Sequence, residues 1–263
     1  MAIVTTSWLA QGLVGVVEFA DLASANALRP EGAARLTAAI EQAGQSAACI
    51  VLRSPGKTFC AGVDLDFVAD LGAREASEQI RQYVYGSFQR LVRAIADCPV
   101  PVIARLHGGA LGLGADVALA CDMRVAGRSA YLRESWILLG TTSALGGACV
   151  LERACGPGRA LELLLTGRAV AGAELATLGL AEYVVEDNGL DAAVTELAEQ
   201  IATRDRQAII AAKALVRGVS KDSWEATLNA ALEYQVALIS RPEFRNYTDQ
   251  MKATIRSRGG HQQ

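Results

Sequence analysis

Apolar and β-branched residues dominate Leu13-Val14-Gly15-Val16-Val17-Glu18-Phe19 and again Cys49-Ile50-Val51-Leu52, the second run ending at the turn Arg53-Ser54-Pro55-Gly56. Short apolar runs bounded by turn residues read as buried strands. The Ala-rich stretch between them, from about Pro30 to Ala43, reads as a helix with proline in its first turn, which gives a strand, helix, strand opening. Pro99 to Leu106 reads as a third buried strand, and Phe88, Leu91, Val92 and Ile95 before it fall at helical spacing. The order β-α-β then repeats, with glycines after the strands. Residues from about Phe67 to Gln82 are richer in charge and small side chains, and are expected to form a mobile surface segment or irregular helix that shapes a pocket. Beyond residue 150 the pattern is helical over 151–154, 158–166, 173–178, 190–203 and a long run from 206 to about 240, and the tail from Arg256 is expected to fray.

Composition narrows the field. The 263 residues are 51% hydrophobic, ample for a substantial core, and a net charge of -3 without any dense Lys/Arg tract supplies no field for nucleic acid. Met1 to Trp8 lacks a basic segment followed by a long apolar one, and no run reaches roughly 18 uninterrupted apolar residues. A soluble, unexported, cytoplasmic protein is therefore expected, with no membrane partner. Cys49, Cys60, Cys98, Cys121, Cys149 and Cys155 are scattered through apolar or small-residue settings without a C-x-x-C pair or partner histidines, so reduced thiols and no metal site are expected.

The chemistry is sought in two glycine-bearing turns, Phe59-Cys60-Ala61-Gly62-Val63-Asp64-Leu65 and His107-Gly108-Gly109-Ala110-Leu111-Gly112-Leu113-Gly114-Ala115-Asp116. Each follows an apolar strand and precedes a helix. Such a turn leaves N–H groups unpaired at the helix start, and small residues let a substrate oxygen approach them. Two turns together make a two-donor oxyanion hole; the plain alternative is tight packing alone. A dinucleotide fingerprint fails because Val117 stands where the third glycine after Gly112 and Gly114 would fall, and no Gly-Lys-Ser/Thr follows for a phosphate loop.

These blocks, with Asn26-Ala27-Leu28-Arg29-Pro30-Glu31 before them and Leu138-Leu139-Gly140, Gly146-Gly147, Gly158-Arg159-Ala160 and Leu178-Gly179-Leu180-Ala181 after, resemble the crotonase superfamily and its enoyl-CoA hydratase/isomerase family over roughly residues 10 to 215. The resemblance implies an α/β spiral of repeated β-β-α units over residues 1–200, holding an acyl-thioester site, and a C-terminal helical trimerisation region over 201–263, assembled as a homotrimer or dimer of trimers. By position it makes the backbone N–H groups of Ala61 and Leu113 the oxyanion donors, although the family usually has glycine where Leu113 stands. It places Ala27, Gly62, Val63, Asp64, Leu65 and Gly112 along the substrate, with coenzyme A as the handle and part of the substrate rather than a separate cofactor.

The family's hydratases use two glutamates; the first aligns with Asp116 and the second with Trp136. Hydration needs one group to activate water and one to deliver a proton to carbon, and a single carboxylate serves both at reduced efficiency. Asp116 is thus the catalytic candidate, with a helix-start carboxylate as the alternative. Trp136 is expected to wall the acyl pocket or to pack in the core. Glu134, two residues earlier, reads as a surface residue, or as a second acid if the local chain is shifted, and His107 as a turn histidine or a group that titrates near neutrality or contacts the cofactor. The leading functional expectation is hydration or dehydration of an enoyl-CoA. Double-bond isomerisation or decarboxylation, on a CoA or carrier-protein handle, and a catalytically weak acyl-CoA binder are the alternatives.

Overall fold

The computed structural model describes residues 2–74, 77–218 and 221–259. Strand β1 (Ile3–Leu9) is antiparallel to β2 (Val14–Ala20), which leads through helix α1 (Pro30–Ser46) to β3 (Cys49–Arg53). Helices α2 (Leu65–Arg74), α3 (Ser77–Tyr83) and, after a single π-helical turn, α4 (Arg90–Ala96) then lead to β4 (Val102–Leu106). From here short and long strands alternate: β5 (Gly109–Leu111), α5 (Leu113–Ala120), β6 (Met123–Gly127), β7 (Tyr131–Arg133), α6 (Gly147–Thr166), β8 (Val170–Ala171), α7 (Ala173–Thr177) and β9 (Tyr183–Val185). Helices α8 (Leu190–Ala202), α9 (Arg206–Gly218), α10 (Lys221–Ile239) and α11 (Pro242–Gly259) complete the chain.

One sheet has the order β1-β2-β3-β4-β6-β9, parallel from β2 onward; the other is β5-β7-β8. Consecutive units place a strand in the first sheet, a short one in the second and then a helix, the β-β-α spiral that the resemblance implies. The apolar runs follow from burial on both sheet faces. In β3, Ile50 and Leu52 point into the main core with α1 and α4, while Cys49 and Val51 meet Leu190, Val194 and Ala198 of α8. Truncation of a buried aliphatic such as Leu52 to alanine costs about 2–5 kcal/mol, because the surrounding atoms close the cavity only in part.

Tertiary context decides one open expectation, the helical alternative for the segment after Phe67, and corrects two, the break within 151–166 and the frayed tail. The segment from 67 to 82 is helical on both sides of residues 75–76, which lie outside the described set, and Phe67 of α2 packs edge-on against Tyr83 at 5.4 Å. The two helices expected over 151–166 are one kinked helix, α6, in which Gly156 leaves helical geometry ahead of Pro157. The long run after 206 is helical over Arg206–Gly218 and Lys221–Ile239, with 219–220 outside the described residues, and the tail stays helical to Gly259, with 260–263 also outside them. No described helix is long and apolar enough to cross a membrane.

Candidate active site

The two glycine turns lie side by side because the first acts as a short strand beside β5. Cys60 N–H donates to the Gly109 carbonyl at 3.1 Å, and Leu111 N–H donates back to the Cys60 carbonyl at 2.9 Å. On its other side the first turn bridges to the loop at 25–28: Leu28 N–H donates to Gly62 O at 2.8 Å and Asp64 N–H to Leu28 O at 3.0 Å. Asn26 anchors this loop, donating from Nδ2 to the carbonyls of Pro55 and Thr58, both at 2.8 Å.

This arrangement corrects one expected donor. Ala61 N–H is already spent on Ala25 O at 3.0 Å. In a parallel bridge the central residue's own N–H points away from the partner strand, and the central residue here is Val63, bridged to Leu28. Val63 N–H has no hydrogen-bond partner among the described residues, and neither has Leu113 N–H, the first amide of α5. Gly112, just before it, gives its own N–H to Arg133 O at 2.9 Å.

The two free amides lie on neighbouring turns. A Cβ on Gly62, whose φ is +104°, would meet the Leu111 carbonyl oxygen at 2.7 Å and lies 3.7 Å from Leu113 N. Val63 N is three bonds from that Cβ, at roughly 2.7–3.7 Å depending on ψ, so the two nitrogens are at most about 7.4 Å apart. Two free amides on neighbouring turns are the arrangement that a shared substrate oxygen requires. The sequence signal for this was Gly62 itself, needed for the positive φ and the close approach. Leucine at position 113 does not close the gap, since its side chain is fully buried in the main core.

Ala27 and Leu65 flank the first turn, half-buried; Leu65 opens α2 and packs on the core. Asp64 has an architectural contact set: its Oδ1 accepts from Phe67 N–H at 2.8 Å, capping α2, and from Arg29 at 2.9 Å. The Cys60 thiol in the same turn is buried and pushed up to about 12, so it is no nucleophile at neutral pH. His107, half-buried, is held with Nδ1 3.0 Å from Arg105, and burial with that cation keeps its pKa below the ordinary value.

Asp116 follows Leu113 by one helical turn and is 1% exposed. Its carboxylate is held by neutral donors: Trp136 Nε1 donates to Oδ2 at 2.9 Å, and Ser143 Oγ at 2.7 Å and Gly147 N–H at 3.1 Å donate to Oδ1. Burial raises its pKa from the ordinary 3.8 to about 6, and the three donors oppose that rise. Trp136 therefore does more than wall a pocket, since it orients the carboxylate.

Glu134 is the residue that sequence reasoning missed. Far from a surface position, it is 5% exposed, and neither carboxyl oxygen has a partner among the described residues. Its Oε1 and Asp116 Oδ1 crowd the same side of Gly147, each within 3 Å of where a Cβ would stand, which puts the two oxygens no more than about 5 Å apart. It borders a small cavity lined by Leu119, Leu132, Leu151 and Leu163, and that burial, with the Asp116 charge second, holds its pKa well above the carboxylate range. Arg133 and Ser135 on either side gave the stretch its polar look.

The chain matches the family model described as Enoyl-CoA hydratase/isomerase over residues 10–254. It is 33% identical to a peroxisomal Δ(3,5)-Δ(2,4)-dienoyl-CoA isomerase of Arabidopsis thaliana over 70% of this chain and 71% of that one. It is 31% identical to a probable enoyl-CoA hydratase of Mycobacterium tuberculosis over 88% and 91%. The structure superposes on an enoyl-CoA hydratase from Bacillus halodurans with a TM-score of 0.87 at 25% identity, covering 94% of this chain and 99% of that one. The paired turns, the spiral that carries them and these likenesses place the chain in the enoyl-CoA hydratase/isomerase family.

Proposed function

We propose that the protein is a hydratase/isomerase-type enzyme that moves a proton on the carbon chain of an enoyl thioester, through an enolate held by Val63 N–H and Leu113 N–H. The observation that carries this reading is the placement of a buried carboxylate, Asp116, one helical turn beyond a free amide. Each oxyanion donor is worth about 3–4 kcal/mol of transition-state stabilisation. Asp116, ionised above pH about 6, takes a proton from the carbon beside the thioester; the electron pair moves onto the thioester oxygen as the enolate, and the proton returns at the far end of the extended enolate. That balance shifts a double bond without water, and it needs one carboxylate.

Trp136 at the position of the second acid supports isomerisation, since its indole is committed to Asp116. Addition of water is the second reading, favoured by the mycobacterial relative's name as a probable enoyl-CoA hydratase and by its 88% coverage of this chain. Coenzyme A is proposed as the handle on the substrate, with no separate cofactor. The C-terminal helices are proposed to assemble trimers, a reading supported by Leu215 and Val216, which are 76% and 73% exposed on α9.

A panel of enoyl-CoA thioesters followed by mass spectrometry and ultraviolet absorbance separates the reactions. Isomerisation changes the absorbance at constant mass, and hydration adds one water. Binding without conversion of any member overturns the enzyme reading.

A further inference from the structure

We propose that Glu134 is a positioning residue for Asp116: it is carried as a neutral acid whose O–H donates to Asp116 Oδ1 across Gly147, so that the site holds a carboxylic acid–carboxylate dyad with one stored proton. This rests on the reading of Asp116 as the proton carrier. An ionised carboxylate accepts hydrogen bonds only, and Glu134 finds no donor among the described residues. Protonated, it gains one O–H, and Asp116 Oδ1, within about 5 Å across Gly147, is an acceptor for it.

The charged groups around Glu134 leave that pairing open. Arg168, which lines the same cavity, has its guanidinium engaged by Glu162 and Glu174, at 2.6 and 2.8 Å. Arg133, its neighbour in sequence, turns its guanidinium to the Gly167 carbonyl. Among the described residues, Asp116 from α5 is the titratable group whose charge acts on Glu134, and burial pushes the pKa of both carboxyls upward, Glu134 the further. Two carboxyls in one dry pocket lose their protons in separate steps, which belong to the pair. The first step arms Asp116. The second puts two negative charges together and removes the donor that steadies Asp116, so activity declines again at alkaline pH.

The expected signatures differ between variants. Glu134→Gln keeps an N–H donor but cannot ionise, so the alkaline decline in kcat/KM moves out by at least one pH unit while the acid decline stays near pH 6. Glu134→Met removes the donor, and the acid decline moves to higher pH. Carboxyl carbon resonances in the wild-type protein, followed by NMR against pH, read the proton on Glu134 independently of turnover and of the substrate; circular dichroism checks that each variant is folded. A Glu134 carboxyl that ionises in the ordinary carboxylate range, or an alkaline decline that Glu134→Gln leaves in place, overturns the proposal. If no thioester is turned over, the NMR titration still decides whether the stored proton exists, and only the reaction assigned to Asp116 falls.

Discussion

Asp116, inside α5, and Asp122, two residues beyond its end, stand six residues apart, and the protein treats them in opposite ways. Asp122 is met by cations: Lys213 Nζ at 2.6 Å and Arg217 at 2.9 Å, both from α9, while its Oδ2 also accepts from Val102 N–H at 2.8 Å. It ties the C-terminal helices to the sheet. Asp116 meets an indole, a hydroxyl and a backbone amide, all neutral, and its nearest ionisable neighbour is another carboxyl. A carboxylate held by two cations ties elements together. One stabilised only by dipoles in a dry pocket keeps an affinity for protons near neutrality, which is what proton transfer to carbon demands. The same side chain is thus tied to cations just beyond the helix and surrounded by neutral donors within it, and the difference lies entirely in the partners.

The largest effect that sharpens this contrast is Asp116→Asn, which leaves the site without a proton carrier. Turnover of an enoyl thioester is expected to drop about 10²–10⁴-fold with little change in thioester binding, measured by initial rates and by calorimetric titration. Equal turnover in the variant breaks the assignment. Asp122→Asn is expected to do the reverse, since Lys213 is 7% exposed and loses its counter-charge. A cost of about 3 kcal/mol in unfolding free energy is expected, read by denaturant titration, with the rate per folded molecule unchanged.

Smaller and more specific is Gly147→Ala. A methyl there meets both Glu134 Oε1 and Asp116 Oδ1, so Asp116 must shift, and a loss of about tenfold in kcat is expected, of the size that a misplacement of this order produces. Smallest is Trp136→Phe, which keeps the apolar wall and removes the Nε1 donor. The donor opposes the rise in the Asp116 pKa, so its removal moves the acid decline of kcat/KM to higher pH. The sign for stability follows from the same shift. The folded Asp116 binds its proton more tightly than the ordinary 3.8 allows, so its contribution is fully present below that pH and is lost as pH rises through about 6. A pH series of thermal melts on wild type against Asp116→Asn isolates that contribution.

Legibility in the sequence followed burial. Strands β2, β3 and β4 were readable because both of their faces are covered, which writes a continuous apolar run. Strand β1 was missed because it is an edge whose side chains are nearly all exposed, so burial wrote no pattern into it. Strands β5, β7 and β8 are three residues or fewer and carry no periodicity at all. The candidate carboxylate Asp116, the second turn and Leu113 were placed correctly relative to one another because they lie within one helical turn, where spacing in sequence is spacing in space. The free amide was misplaced by two residues, at Ala61 instead of Val63, because which N–H stays unpaired depends on the loop at 25–28, more than thirty residues away.

By itself, then, the sequence determined the repeating α/β plan, the two glycine turns and a carboxylate beside one of them, all features set by local spacing and by the burial of apolar runs. Only the tertiary structure decided which amides are free, that Trp136 serves Asp116, and that Glu134 is inside. Each of these depends on partners brought together from separate strands and helices, and hydrogen bonding and desolvation act at a few ångströms in space whatever the distance along the chain.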